Sequence, residues 1–84
     1  MPTDKRFVYV LRSLRSPDRY YSGLTSDVTS RLDTHNSGGS RYTSTLRPWE
    51  LVVSLGFACE SSAVAFEKYL KTGSGRAFAK RHFI

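Results

Sequence analysis

This sequence has one cysteine, Cys59, so it cannot form a disulfide within the chain. That scarcity points to a reducing compartment such as the cytoplasm. It has two histidines, His35 and His82. Together with Cys59 they are too few for a zinc knuckle or a four-cysteine zinc site. No apolar run approaches the roughly 20 residues of a membrane span. The stretch from Met1 to Arg6 is polar, and Phe7–Leu11 is too short for the apolar part of a secretory signal. Acid is also scarce, with seven carboxylates against thirteen lysines and arginines.

What is present is one small domain, residues 1–84, with aromatics at 13% and hydrophobic residues at 39%. Those fractions suit a globular chain and are too high for a disordered one. A chain this short buries only about 60–65% of its unfolded surface, so a single small core is expected. The net charge of +6 is uneven. Eight basic and seven acidic side chains precede Lys68, whereas five basic and no acidic ones follow from there on. A basic cluster of this kind suits a polyanion such as nucleic acid. A solvated basic face, or a tail that docks an acidic protein, gives the same count.

Phe7–Leu11 is β-branched and aromatic, which predicts a strand, and Tyr20–Leu24 predicts a second after a turn at Pro17-Asp18. Strand parity puts Tyr9 and Tyr21 on one face of that hairpin and Tyr20 on the other. Thr25-Ser26-Asp27 reads as a helix start, and Gly38-Gly39 as its stop after about Asn36. Ser37–Arg47 reads as a polar loop. Trp49, Leu51, Val53 and Leu55 alternate with Glu50, Val52 and Ser54, which predicts a third strand with one apolar face. A second helix is expected from Ser61 through Leu70, broken at Gly73-Ser74-Gly75, and a short basic helix over Arg76–Arg81. The fold class is α+β, a three-stranded sheet flanked by helices in the order β-β-α-β-α-α.

Several side chains could carry chemistry, and each also has a structural reading. Tyr9 and Tyr21 could accept or orient a proton near a cation, or simply edge the core. Arg31 and His35 lie four apart on one helix face. They could offer a phosphate fork and a proton acceptor, or a solvated helix side. Glu67 could ligate Mg²⁺ or Mn²⁺, or form a plain pair with Lys71. Gly73-Ser74-Gly75-Arg76 could present amides to a phosphate, or merely stop and restart a helix. Cys59 has no basic neighbour in sequence, so a buried structural thiol is expected.

Taken in order, these segments resemble the GIY-YIG nucleases. Phe7-Val8-Tyr9 and Tyr21-Ser22-Gly23 stand where the two family triplets would, with a hairpin-length interval. Gly23–Asp27, Arg31 and His35-Asn36 resemble the helix that follows. Pro48–Val52 resembles the third strand, and Ala65-Phe66-Glu67-Lys68 the glutamate helix. The likeness covers about residues 6–82 and is strongest to small stand-alone members. Phe7 and Val8 replace the glycine and isoleucine of the first triplet, and Ser22 the middle isoleucine of the second. Leu24 stands where repair members can carry a lysine. After Asn36 the chain lacks the late asparagine of some relatives.

The resemblance implies a metal-dependent DNA endonuclease leaving a 5′-phosphate and a 3′-hydroxyl. It implies catalytic roles for Tyr9, Tyr21, Arg31, His35 and Glu67, with Glu67 holding Mg²⁺ or Mn²⁺. Tyr9 would be the base or would orient the attacking water, aided by His35, Tyr21 would hold the water or the phosphate, and Arg31 would stabilise the phosphate. The cations expected to meet DNA are Arg41, Arg47, Lys71, Arg76, Lys80 and Arg81. A protein partner could supply specificity. A non-catalytic DNA-binding module of the same fold is the alternative.

Overall fold

The computed structural model describes residues 6–39 and 41–84. Strands β1 (Arg6–Ser13), β2 (Tyr20–Thr25) and β3 (Trp49–Phe57) form one antiparallel sheet in the order β2-β1-β3. The helices are α1 (Val28–Asn36), a single turn α2 (Arg41–Ser44), α3 (Glu60–Leu70) and α4 (Gly73–His82). The α+β class and the strand order along the chain are as the sequence predicts. The loop before β3 is not irregular throughout, because it contains α2.

The expected single core is instead two clusters, one on each face of the sheet. Val8 and Val10 of β1 pack with Ala63 and Leu70 of α3 and Ala79 of α4. Tyr20, Phe66 and Phe78 lie against that group. Tyr9, Leu11 and Trp49 form the second cluster, with Tyr21, Val28 and Leu32 around them. Strand parity divides β1 between the faces as expected. A central strand buried on both sides reads as a continuous apolar run, and Phe7–Leu11 is one.

The parity of β3 is overturned. Val10 pairs with Val53 but Leu11 with Leu51, so Val52 is an extra residue opposite no partner. Such a bulge flips the side chains beyond it. Val52 and Val53 therefore both pack on the α3/α4 face. Leu51 is left 41% exposed, although alternation had placed it in the core.

α1 starts where its sequence predicts, but the Asp27 carboxylate and not a Thr25 or Ser26 hydroxyl caps it, accepting from the Ser30 amide. At its other end Gly38 has φ +85, a conformation open to glycine at little cost. The break between α3 and α4 differs from expectation. It falls at Lys71-Thr72, and Gly73-Ser74-Gly75 is the first turn of α4. The Thr72 hydroxyl accepts from the Gly75 amide. A Cβ at Gly75 would lie 2.7 Å from Leu70 Cα and closer still to the Tyr69 carbonyl. The glycine is there because α3 and α4 nearly touch, and its amide is already capped. Cys59 is exposed rather than buried, at the N-cap of α3.

Candidate active site

The site is built on the β1–β2 hairpin. Tyr9 pairs with Gly23 and Leu11 with Tyr21, so both tyrosine rings leave the same face. Tyr9 is 1% exposed, and its ring lies against Gly23. A Cβ on residue 23 would sit 2.6 Å from the Tyr9 Cζ and nearer still to the hydroxyl. Glycine in the second triplet is therefore the seat of the first tyrosine.

α1 brings two groups to that phenol. The Tyr9 hydroxyl is 3.0 Å from His35 Nε2, and His35 Nδ1 is 2.7 Å from the Thr43 hydroxyl. Arg31, one turn earlier, bears on the phenol by its charge and its N–H donors. One arrangement satisfies all of these groups: the phenol accepts from Arg31 and donates to His35 Nε2, and His35 Nδ1–H donates to the Thr43 hydroxyl. Both His35 and Thr43 are buried, and no buried side-chain polar atom among the described residues is without a partner.

Titration follows the same geometry. Burial, then the Tyr21 phenol, pushes Tyr9 up to about 12 against the pull of Arg31, with Glu67 adding a smaller push. Burial, then the Arg31 charge, holds His35 below its usual range. At neutral pH the pair is a neutral phenol beside a neutral imidazole.

Tyr21 lies against the same histidine, with ring centroids 4.9 Å apart, and also meets Trp49 at 6.3 Å. Tyr20, on the opposite face, packs with the α3/α4 core as parity predicts. Glu67 is sheltered, its side chain 16% exposed, and paired with Lys71 Nζ at 2.5 Å. The i,i+4 pair foreseen as its structural role is thus present. The carboxylate also lies near enough to bear on Tyr9. One such oxygen donor fits a hard cation that keeps most of its water and takes phosphate oxygens as well. No group of three or more His, Cys, Asp or Glu gathers among the described residues, so the donor set does not suit zinc.

An open groove of about 910 Å³ runs along β2 beside this site. Tyr21, Tyr42, Lys71, Arg76 and Lys80 line it. Arg81, Arg41 and Arg47 are not among its lining residues. The Arg47 guanidinium packs over Gly38, where a Cβ would lie 3.2 Å from its Cζ. Three of the six expected DNA-binding cations therefore share one groove with a candidate catalytic tyrosine.

Sequence reasoning missed Thr43, Gly23 and the anchoring role of Asn36. The Asn36 amide accepts from the Trp49 amide at 2.6 Å and donates to the Trp49 carbonyl at 3.1 Å. That two-point clasp ties the end of α1 to the start of β3. Only the fold brings Thr43 and Asn36 to their partners, whereas the Tyr9–Gly23 contact could have been found by pairing the hairpin register.

A tyrosine pair on a hairpin, an arginine and histidine on the next helix and a glutamate on a later one make up the candidate site. Residues 5–81 match the GIY-YIG catalytic domain, and the chain belongs to the GIY-YIG family. It is similar to the UPF0213 protein YazA of Bacillus subtilis, 36% identical over 72 residues, covering 84% of this chain and 71% of that one. It is also similar to the structure-specific endonuclease subunit slx1 of Talaromyces marneffei, 42% identical over 65 residues. That match covers 70% of this chain and only 17% of the fungal one. Among solved structures, a UPF0213 protein of Bacillus halodurans superposes with a TM-score of 0.55 at 31% identity. The match covers 90% of this chain and 80% of that one.

Proposed function

We propose that this protein is a divalent-metal-dependent DNA endonuclease. The observation that carries the reading is the buried Tyr9 phenol, held between the neutral base His35 and the cation Arg31. With its pKa near 12, Tyr9 is protonated at neutral pH and cannot be a free phenolate base. It works instead as a relay. As the attacking water gives its proton to the phenol oxygen, the phenol proton passes to His35 Nε2. The water oxygen bonds to phosphorus, the bond to the 3′ oxygen breaks, and that oxygen takes a proton from solvent, leaving a 3′-hydroxyl and a 5′-phosphate. Arg31 offers its remaining donors to the phosphate oxygens as charge builds there. Tyr21, beside His35 at the groove, positions the water or the phosphate. Glu67 is the residue that would hold Mg²⁺ or Mn²⁺, which when bound supplies Lewis-acid and charge-clamping chemistry.

Lys71, Arg76 and Lys80 hold the flanking backbone in the groove. A partner subunit would add specificity that one small domain lacks, in keeping with the word "subunit" in the slx1 name. The Lys71–Glu67 pair favours a second reading, a non-catalytic DNA-binding module, because it already occupies the carboxylate. Incubating labelled single-stranded, duplex, flapped and branched DNA with Mg²⁺, Mn²⁺ or chelator separates the two. Cleavage dependent on metal supports the enzyme. Binding without cleavage under every condition supports the module.

A further inference from the structure

α2 is one turn long, yet its consecutive residues do opposite things. Thr43 is fully buried, bonded through its hydroxyl to His35 and through its carbonyl to the Trp49 indole N–H at 2.9 Å. Its neighbour Tyr42 is 66% exposed. The segment is thus pinned from inside while it presents an aromatic ring to solvent. One side of that ring meets Tyr21, centroids 6.0 Å apart and planes tilted by 44°. Both rings line the groove.

Of the charged residues lining that groove, Arg19, Lys71, Arg76 and Lys80 are cationic and Asp18 alone is acidic. An exposed aromatic beside a cationic track is the arrangement that takes a nucleic-acid base on the ring and its phosphates on the cations. A base inside a duplex already has both faces covered by its neighbours, so this ring serves only a nucleotide that has left the stack.

We propose that Tyr42 is a stacking platform for an unpaired base next to the scissile phosphate, which makes DNA with a single-stranded segment the preferred substrate. The inference rests on the nuclease reading and deepens it by naming the substrate class. Tyr21 backs the platform and links it to His35, so the seated base sets the distance from its own phosphate to the relay. Base identity matters little, because every base has a π-face.

The test is binding, measured in chelator so that no cleavage intervenes. Fluorescence anisotropy compares wild type, Tyr42→Ala and Tyr42→Phe on a dye-labelled single-stranded oligonucleotide and its duplex. Stacking on one aromatic is worth about 1–3 kcal/mol per base, or about 5- to 150-fold in affinity. Tyr42→Ala should lose that much on the single strand and less than twofold on the duplex, and Tyr42→Phe should match wild type. Equal loss on both DNAs, or no loss on the single strand, overturns the proposal and leaves the nuclease reading standing. If wild type binds neither DNA, the nuclease reading falls with it. Should Tyr42→Ala not fold, wild type with an oligonucleotide of abasic sites asks the same question. It should bind that strand as weakly as the variant was expected to bind the intact one, and unchanged binding would overturn the proposal.

Discussion

Thr43→Val removes one hydroxyl and keeps the side-chain shape. With Tyr9 donating to His35, that hydroxyl accepts from His35 Nδ1–H, the two atoms being 2.7 Å apart in a place without solvent. Leaving a buried donor without its partner costs about 1–3 kcal/mol. For a domain of this size each kcal/mol moves the melting temperature by about 4–8 °C. A loss near 2 kcal/mol would therefore lower it by about 8–16 °C. The imidazole has one escape, which is to move its proton to Nε2. That relieves the orphaned nitrogen, but Nε2 then faces the Tyr9 hydroxyl as a second donor and can no longer accept its proton. The variant must therefore lose stability, the relay, or part of each. Turnover should fall about 10- to 100-fold, as about 1.4 kcal/mol of lost transition-state stabilisation is tenfold. Thr43→Ser keeps the hydroxyl and should rescue both. The assays are a thermal melt, single-turnover cleavage and ¹⁵N-detected histidine tautomers by NMR. A Thr43→Val protein that melts within 2 °C of wild type and cleaves within twofold of it would refute the donor order Arg31–Tyr9–His35–Thr43.

Tyr9 should titrate in ultraviolet absorbance near pH 12, above the ordinary tyrosine value of 10. Because the folded pKa is the higher one, stability is whole below pH 10 and falls by about 2–3 kcal/mol by pH 12. His35 has the opposite sign. Its folded pKa is depressed, so stability and activity hold above about pH 6.5, its usual value, and decline as the solution is acidified below it. Gly23→Ala should push the Tyr9 ring off its seat, costing about 1–3 kcal/mol and most of the activity, and a conserved melt with full activity would contradict that contact. Replacing Arg76 and Lys80 by Gln should flatten the slope of log K against log salt on duplex DNA by about one to two units, since each phosphate contact contributes about 0.9. The same change at Arg41 and Arg47, outside the groove lining, should flatten it less.

The parts of this protein legible in its sequence are those set by local chemistry. Period-two alternation placed Tyr9 and Tyr21 together because β1 and β2 pair without a bulge. Asp27 and Gly38 marked the ends of α1 because caps are local devices. The bulge at Val52 was not legible, since Val52 and Val53 are equally apolar and only the partner strand distinguishes them. Gly73-Ser74-Gly75 reads as a breaker by propensity, yet a tertiary contact requires glycine there and Thr72 caps the turn. In the site, residue types named the actors but not their supports. His35 looks like half of a surface pair with Arg31, and only its burial between Tyr9 and Thr43 shows it to be a held, oriented ring. Tyr42 and Thr43 lay in a stretch of Gly, Ser, Thr and Arg whose composition says loop and nothing more.

In the proposed function, Tyr9, His35, Arg31 and Glu67 make one metal-dependent hydrolytic site. Glu67 is the member whose charge Lys71 already offsets. Glu67→Gln keeps the size of the side chain and removes its charge. The deciding measurement is single-turnover cleavage of a labelled oligonucleotide in Mn²⁺ by wild type and Glu67→Gln, with a melt of each. The account predicts cleavage by wild type that chelator stops, and none by a Glu67→Gln protein that folds normally and still binds DNA. Equal cleavage by both proteins would contradict it and remove the metal from Glu67.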